Sequence, residues 1–300
     1  MFNVGRGVFW GGKYSMKIAI VGSSGYIARF LLEHLKQERS VKKLLTIDVT
    51  EEAEKHLDLR KPQEFEYQCL EEIDYVIFTA AISGPDQCAK EFELCWSVNV
   101  LGTSYFIKEA IKRQCKVLFF SSDAVFGDVP GMIYTEESET CADTPYGKMK
   151  KAIEDEFRNS PFFKAIRLAY VVSAKDRFVG YCLNCLNKGE EAEVFHPFYR
   201  NCITVCDVIS VIWWLLQHWS AFQSFVLNVA GSELVSRVRI ADEINRIYGG
   251  NLQYTISNPG KEFFINRPQI TQMKSLYITK EKILEDESFT EKIKRELEEA

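Results

Sequence analysis

No stretch of the 300-residue chain approaches the ~20 consecutive apolar residues that a membrane-spanning helix needs. The longest apolar stretches, near 18–21 and 211–216, are far shorter, so no membrane association is expected. Neither sign of charge is in excess: 37 Lys+Arg against 42 Asp+Glu leave a net charge of −5 and a pI near 5.6. That balance gives no electrostatic footprint for duplex nucleic acid or an anionic bilayer, and an anionic ligand must be held by a few placed cations. Histidine is scarce, and His34, His56, His196 and His218 have no metal-ligand spacing. Internal repeats and low-complexity tracts are also lacking. The nine cysteines are odd in number and scattered, which excludes the dense framework of a small secreted domain and fits reduced thiols in a cytoplasmic protein. Cys182 and Cys185 do form a CxxC near Cys202 and Cys206, but 181–186 reads more simply as the apolar face of a helix, and no metal is expected.

What is present is a core-forming composition, 46% hydrophobic and 13% aromatic, arranged as short apolar runs alternating with amphipathic stretches. The runs at 17–21, 43–48, 75–80, 116–121 and 164–171 read as strands. The stretches at 26–36, 98–112 and 146–157 read as helices. Continuous apolar strands separated by segments too long for hairpins predict an α/β Rossmann fold, a doubly wound parallel sheet with helices on both faces. Beyond Ser173 the regularity weakens into helices near 179–187, 207–219 and 237–248, a strand at 225–229 and a charged, helical tail at 281–300. The expected organisation is a loose extension at 1–15, crowded by Gly5, Gly7, Gly11 and Gly12, then a dinucleotide-binding domain at 16–173 to which 202–229 contributes. A smaller, discontinuous substrate lobe is expected from 174–201 and 230–300. Met16, directly before the first strand, is an alternative point for translation to begin.

The first strand runs into Gly22-Ser23-Ser24-Gly25-Tyr26-Ile27-Ala28 and then a helix, the context in which a glycine-rich turn brings a pyrophosphate onto the helix N-terminus. Asp48 ends the second strand 20 residues after Ala28, where a carboxylate accepts hydrogen bonds from the adenosine ribose and repels a 2′-phosphate. NAD is therefore expected in preference to NADP, with Asp58 and Leu59 flanking the adenine. Tyr146 and Lys150, four apart, share one face of a helix that Pro145 begins well. An ammonium beside a phenol favours phenolate, which would make Tyr146 an acid/base at neutral pH. Ser122, at the carboxyl end of the strand 116–121, can bind the substrate oxygen whose proton Tyr146 moves.

The order of these elements, with Phe78-Thr79-Ala80-Ala81, Asn99-Val100-Leu101-Gly102-Thr103, Ser121-Ser122-Asp123-Ala124-Val125-Phe126-Gly127, the Arg200–Asp207 segment and Arg267-Pro268, resembles the extended short-chain dehydrogenase/reductase family. Within it the likeness is to the NAD-dependent epimerase/dehydratase group acting on nucleotide sugars. The resemblance implies Ser122, Tyr146 and Lys150 as the catalytic triad. It implies Ser24, Tyr26, Ile27, Ala80, Ala81 and Asn99 among the cofactor-binding residues. Arg200 and Arg267 would clamp a substrate diphosphate, with Asp123 and Tyr170 also at the substrate. A homodimer through the helices 98–112 and 146–157 is implied as well. Ala124 follows Asp123 where the dehydratases carry a second carboxylate, so dehydration is disfavoured. Tyr170 stands where many relatives have asparagine and looks closer to the 4-keto-sugar reductases, whereas Asp48 and NAD suit an epimerase. Both remain open. The alternative is a non-catalytic dinucleotide-binding regulatory or scaffold protein of the same fold.

Overall fold

The computed structural model describes residues 15–298 apart from 128 and 130, so the expected extension lies, but for Ser15, outside the described residues. A seven-stranded parallel sheet organises the chain. Its strands are β1 (Met16–Val21), β2 (Val41–Asp48), β3 (Lys55–His56), β4 (Tyr75–Phe78), β5 (Lys116–Ser122), β6 (Phe163–Leu168) and β7 (Val226–Val229). They lie in the order β7-β6-β5-β4-β1-β2-β3. Every residue of β4, β6 and β7 is buried, as strands covered on both faces must be. The expected α/β architecture is present, and β7 carries the segment around 226–229 back to the sheet edge.

Two apolar layers flank the sheet. On one face Val76, Phe78, Val117 and Phe119 pack with Phe106, Met149 and Ile153 from the helices α2 (Thr103–Lys112) and α3 (Pro145–Phe157). On the other, Ile18, Ile20, Ile77 and Leu118 pack with Leu31 of α1 (Tyr26–Gln37) and Ile212 and Leu215 of a later helix, Val205–Gln217. Each fully buried Phe or Ile contributes about 1.5–3 kcal/mol relative to exposure. The helical region leading into α2 begins earlier than the sequence predicts, at Phe92, and passes through a π-helical stretch at Ser97–Gly102.

A third cluster forms a lobe around Phe178, Val179, Cys182 and Cys185 of α4 (Arg177–Lys188) and Ile240 and Ile244 of a helix at Arg237–Ile247. Val205–Gln217 and Arg237–Ile247 are α5 and α6. A four-stranded sheet edges this lobe and draws on Ile133–Tyr134 as well as Tyr199–Arg200, Val235–Ser236 and Ile270–Met273. The expected helical tail starts later than 281 among the described residues. Helix α7 runs only from Phe289 to Glu298, because Ser288 and Glu291 close a capping box, each accepting from the other's backbone N–H. Lys292 of α7 donates to Asp207 of α5 at 2.8 Å, fastening the tail to the fold. Cys182 and Cys185 are free thiols buried in the lobe core. No helix among the described residues is long and apolar enough to cross a membrane.

Candidate functional site

Parallel strands β2, β1, β4 and β5 end side by side, and their carboxyl ends carry Asp48, Gly22, Ala80 with Ala81, and Ser122 in that order. Three strand spacings separate the first from the last, about 14 Å. The chain leaves β1 toward β2 on one side and returns to β4 on the other, so the strand order reverses between β1 and β4, the crevice where open α/β sheets bind ligands. Gly22 sits at that crossing with φ +85°, and a Cβ there would stand 2.6 Å from the Ala80 nitrogen. Backbone conformation and close approach both demand glycine. Asp48 is 8% exposed; its Oδ2 accepts from the Ser24 N–H at 2.8 Å and its Oδ1 from the Val49 N–H at 2.7 Å, so it braces the turn it faces.

Helices α3, α4, α5 and α6 are each capped by a side chain, those of Thr144, Asp176, Thr204 and Ser236. Helix α1 is not: its N-cap, the exposed Gly25, offers no side-chain acceptor. The uncapped N–H groups and the positive dipole end fit a pyrophosphate, and the glycine turn leaves the room for one. Tyr26 turns its hydroxyl to Ser173 Oγ, and Ile27 packs against the α1 side of the sheet. Asp58 is held by Arg60, whose guanidinium keeps the carboxyl below the usual range. Leu59 is turned into the core at 8% exposure, so its side chain packs instead of facing outward. Asn99 is also buried, and its amide holds Ile82 from both sides, Oδ1 accepting from the Ile82 N–H at 2.8 Å and Nδ2 donating to its carbonyl at 2.9 Å. It shapes the loop that carries Ala80 and Ala81.

Tyr146 and Lys150 face the β5 end. Lys150 Nζ donates to the Phe120 carbonyl at 2.7 Å and lies 5.7 Å from the centre of the Tyr146 ring. Ser122 Oγ donates to Asp123 Oδ1 at 2.9 Å and accepts from the Ala124 N–H at 3.2 Å. The approach of α3 to this turn depends on Gly147, where a Cβ would stand 2.1 Å from the Ala124 carbonyl oxygen. The expectation that Lys150 lowers the Tyr146 pKa is not met in the free protein. Burial pushes Tyr146 up, with the Cys88 thiol and Asp123 adding to the rise, and burial brings Lys150 down to about 7. Desolvation disfavours the charged form of each and is the largest cause of both shifts. Burial likewise raises Asp123, although the Arg200 guanidinium opposes it.

The lobe side brings Tyr170, Arg200 and Arg267 to the same region. Tyr170 donates to Asp176 Oδ1 at 2.7 Å. Arg200 donates to the carbonyls of Tyr199 at 2.6 Å and Pro268 at 2.5 Å, with Nε 3.8 Å from Asp123 Oδ2. Arg267 donates to the Phe263 carbonyl and pairs with Asp86, joining the lobe to the short helix Pro85–Lys90 that follows β4. Both expected clamp residues thus already have protein acceptors. Sequence reasoning missed Cys88 and Gly147, whose roles depend on neighbours distant in the chain; only Gly147, directly after Tyr146, had a local signal. A cavity of about 370 Å³ lined by Glu136, Lys151, Glu154, Arg158 and Arg167 lies along α3, and none of the expected site residues lines it.

The family described as RmlD substrate binding domain matches residues 16–300. The chain belongs to that family. This RmlD-domain chain is accordingly an extended short-chain dehydrogenase/reductase, a group with nucleotide-sugar epimerase-like and reductase-like members. It is 28% identical over 177 residues to UDP-glucose 4-epimerase 1 of Oryza sativa subsp. japonica, a match covering 51% of the chain and 50% of that protein. The chain thus spans about half the length of that curated relative. A dTDP-4-dehydrorhamnose reductase of Clostridium acetobutylicum superposes with a TM-score of 0.78 at 21% identity, covering 94% of this chain and 98% of the other. MoeE5, in complex with UDP-glucuronic acid and NAD, superposes with a TM-score of 0.77 at 18% identity and the same coverage. These structural likenesses establish the shared fold.

Proposed function

We propose that this RmlD-domain protein is an NAD-dependent enzyme that transfers hydride at a hydroxyl-bearing or carbonyl carbon of a nucleotide sugar. The observation that carries the reading is the row along the sheet edge: an uncapped helix behind Gly22 and Gly25, Asp48 at one end, and Ser122, Tyr146 and Lys150 at the other. When bound, the nicotinamide donates or accepts the hydride. Asp48 favours NADH over NADPH, since a carboxylate at the end of β2 accepts hydrogen bonds from the adenosine ribose and repels a 2′-phosphate. Ser122 positions the substrate oxygen, and Tyr146 Oη gives it a proton or takes one.

Burial leaves Tyr146 protonated, the form that delivers a proton to a carbonyl oxygen. The aromatic residue at Tyr170 supports reduction of a 4-keto sugar over oxidation of an alcohol as the first step. The epimerase reading draws support from Asp48 and from the likeness to UDP-glucose 4-epimerases.

Two assays separate the readings. A reductase consumes NADH stoichiometrically with a dTDP- or UDP-linked 4-keto sugar. An epimerase interconverts UDP-hexoses with no added reductant. In whichever assay shows turnover, Tyr146→Phe is expected to lower kcat by about 10²–10⁴-fold while NAD binding persists. Equal turnover by wild type and variant removes the proposed chemistry. Tight NAD binding without turnover of any nucleotide sugar replaces it with the regulatory or scaffold reading.

A further inference from the structure

Arg237 is the first residue of α6, and its guanidinium carbon stands over the rings of Phe198 at 4.7 Å, Phe178 at 4.9 Å, and Phe195 and Phe263 at 5.8 Å each. Among the described residues its side chain has no hydrogen-bond acceptor and no carboxylate at ion-pair distance, and Nε is buried without a partner. Asp176, the nearby acid, is occupied by Tyr170 and by the N–H groups of Phe178 and Val179. A guanidinium remains charged at any physiological pH. Ring faces attract it, but they leave its donors unmet.

The same rings connect Arg237 to the rest of the cleft. Phe198 also meets Arg200, at 4.4 Å, and Phe263 also meets Arg267, at 4.5 Å. Arg200 in turn stands beside Asp123, the neighbour of Ser122. A path therefore leads from the Ser122 hydroxyl through Asp123, Arg200 and Phe198 to Arg237. Arg200 on this path and Arg267 beside Phe263 already donate to protein oxygens, whereas the Arg237 fork has no acceptor among the described residues.

We propose that Arg237 is a substrate-binding residue that receives an oxyanion of the ligand, a phosphate or a carboxylate, with its fork-shaped guanidinium set against an aromatic wall. The proposal rests on the nucleotide-sugar reading above and names a residue which that reading did not include. The ligand enters with its reacting carbon at Tyr146 and Ser122 and its anionic group at Arg237.

Calorimetric titration with UDP, dTDP, UDP-glucose and UDP-glucuronate, with uridine and thymidine as uncharged controls, tests it on the full chain. Arg237→Met, which keeps the apolar stem against the rings, is expected to bind the anionic probes at least ~10-fold more weakly. NAD affinity and the binding of the uncharged controls should not change. Equal losses for UDP-glucose and UDP-glucuronate assign the phosphate; a loss confined to UDP-glucuronate assigns the carboxylate. If the Met variant fails to bind NAD, it has not folded, and Arg237→Lys carries the test with a several-fold loss expected from replacing the fork by one ammonium. Wild-type affinity for every probe in the variant overturns the proposal and leaves the hydride-transfer reading standing. Arg237-dependent binding of nucleoside diphosphates without turnover of any sugar does the reverse, and a wild-type protein that binds none of the probes overturns both.

Discussion

Burial drives the two central side chains of the site toward neutrality from opposite sides, the Tyr146 phenol by raising its pKa and the Lys150 ammonium by lowering its own to about 7. The four-residue spacing made the pair legible in the sequence, but spacing carries no information about solvent. Spacing therefore does not reveal that burial pushes the Tyr146 pKa up. Lys150 has a consequence for stability. Between pH about 7 and its ordinary value of 10.5 an unfolded Lys150 holds a proton that the folded one has released. The unfolded state binds more protons there, so stability rises with pH across that window. Thermal melts of the ligand-free protein from about pH 7 to pH 9.5 should show Tm climbing more steeply in wild type than in Lys150→Met. Parallel curves would show that Lys150 keeps its proton when folded. Asn99 and Leu59 mark another limit of residue-scale reading. Their place in a motif was legible, but whether a side chain faces a ligand, a loop or the core depends on partners such as Ile82.

At the scale of elements, α3 shows how closely two segments must meet for the site to exist. Thr144 caps it through the Gly147 N–H at 3.2 Å, Pro145 starts it, and Gly147 lets its first turn press on the Ala124 carbonyl. Gly147→Ala should therefore lower kcat at least ~10-fold by moving Tyr146 away from Ser122. Circular dichroism should show helix content kept, since alanine is the better helix former by about 1 kcal/mol. Unchanged turnover would mean that α3 shifts without disturbing the site. Thr144→Ala removes the cap and should cost about 1 kcal/mol in denaturant unfolding. Elements with strong periodicity and clear punctuation were legible: α1, α3 and the sheet strands other than the two-residue β3, which was not predicted, lie close to their predicted bounds. Weakly patterned pieces were not. The stretch before α7 carries helix-favouring charge, yet Lys282 adopts φ 50° and the helix waits for the Ser288–Glu291 box. Strands of two residues, such as Ile133–Tyr134, are too short to leave a period.

For the whole molecule, Leu101 and Tyr105 in the stretch 98–112 are exposed at 60% and 41%, apolar area on one of the two helices through which the family resemblance implies a dimer. Sedimentation is expected to give the mass of two chains, and Leu101→Lys to shift it to one; a monomeric wild type would reject that assembly. The sequence by itself determined the α/β class, the strand ends, the glycine turn with Asp48, and the order in which Ser122, Tyr146 and Lys150 follow. These are local matters of periodicity, backbone freedom and spacing, all encoded within a few residues of where they act. Only the tertiary structure decided which strands are neighbours along the carboxyl edge, which arginines already have acceptors, and that Arg237 stands among four phenylalanines without one among the described residues. Those outcomes depend on desolvation and packing between segments far apart in the chain, where the free energy of a charge is set by whatever the fold brings beside it.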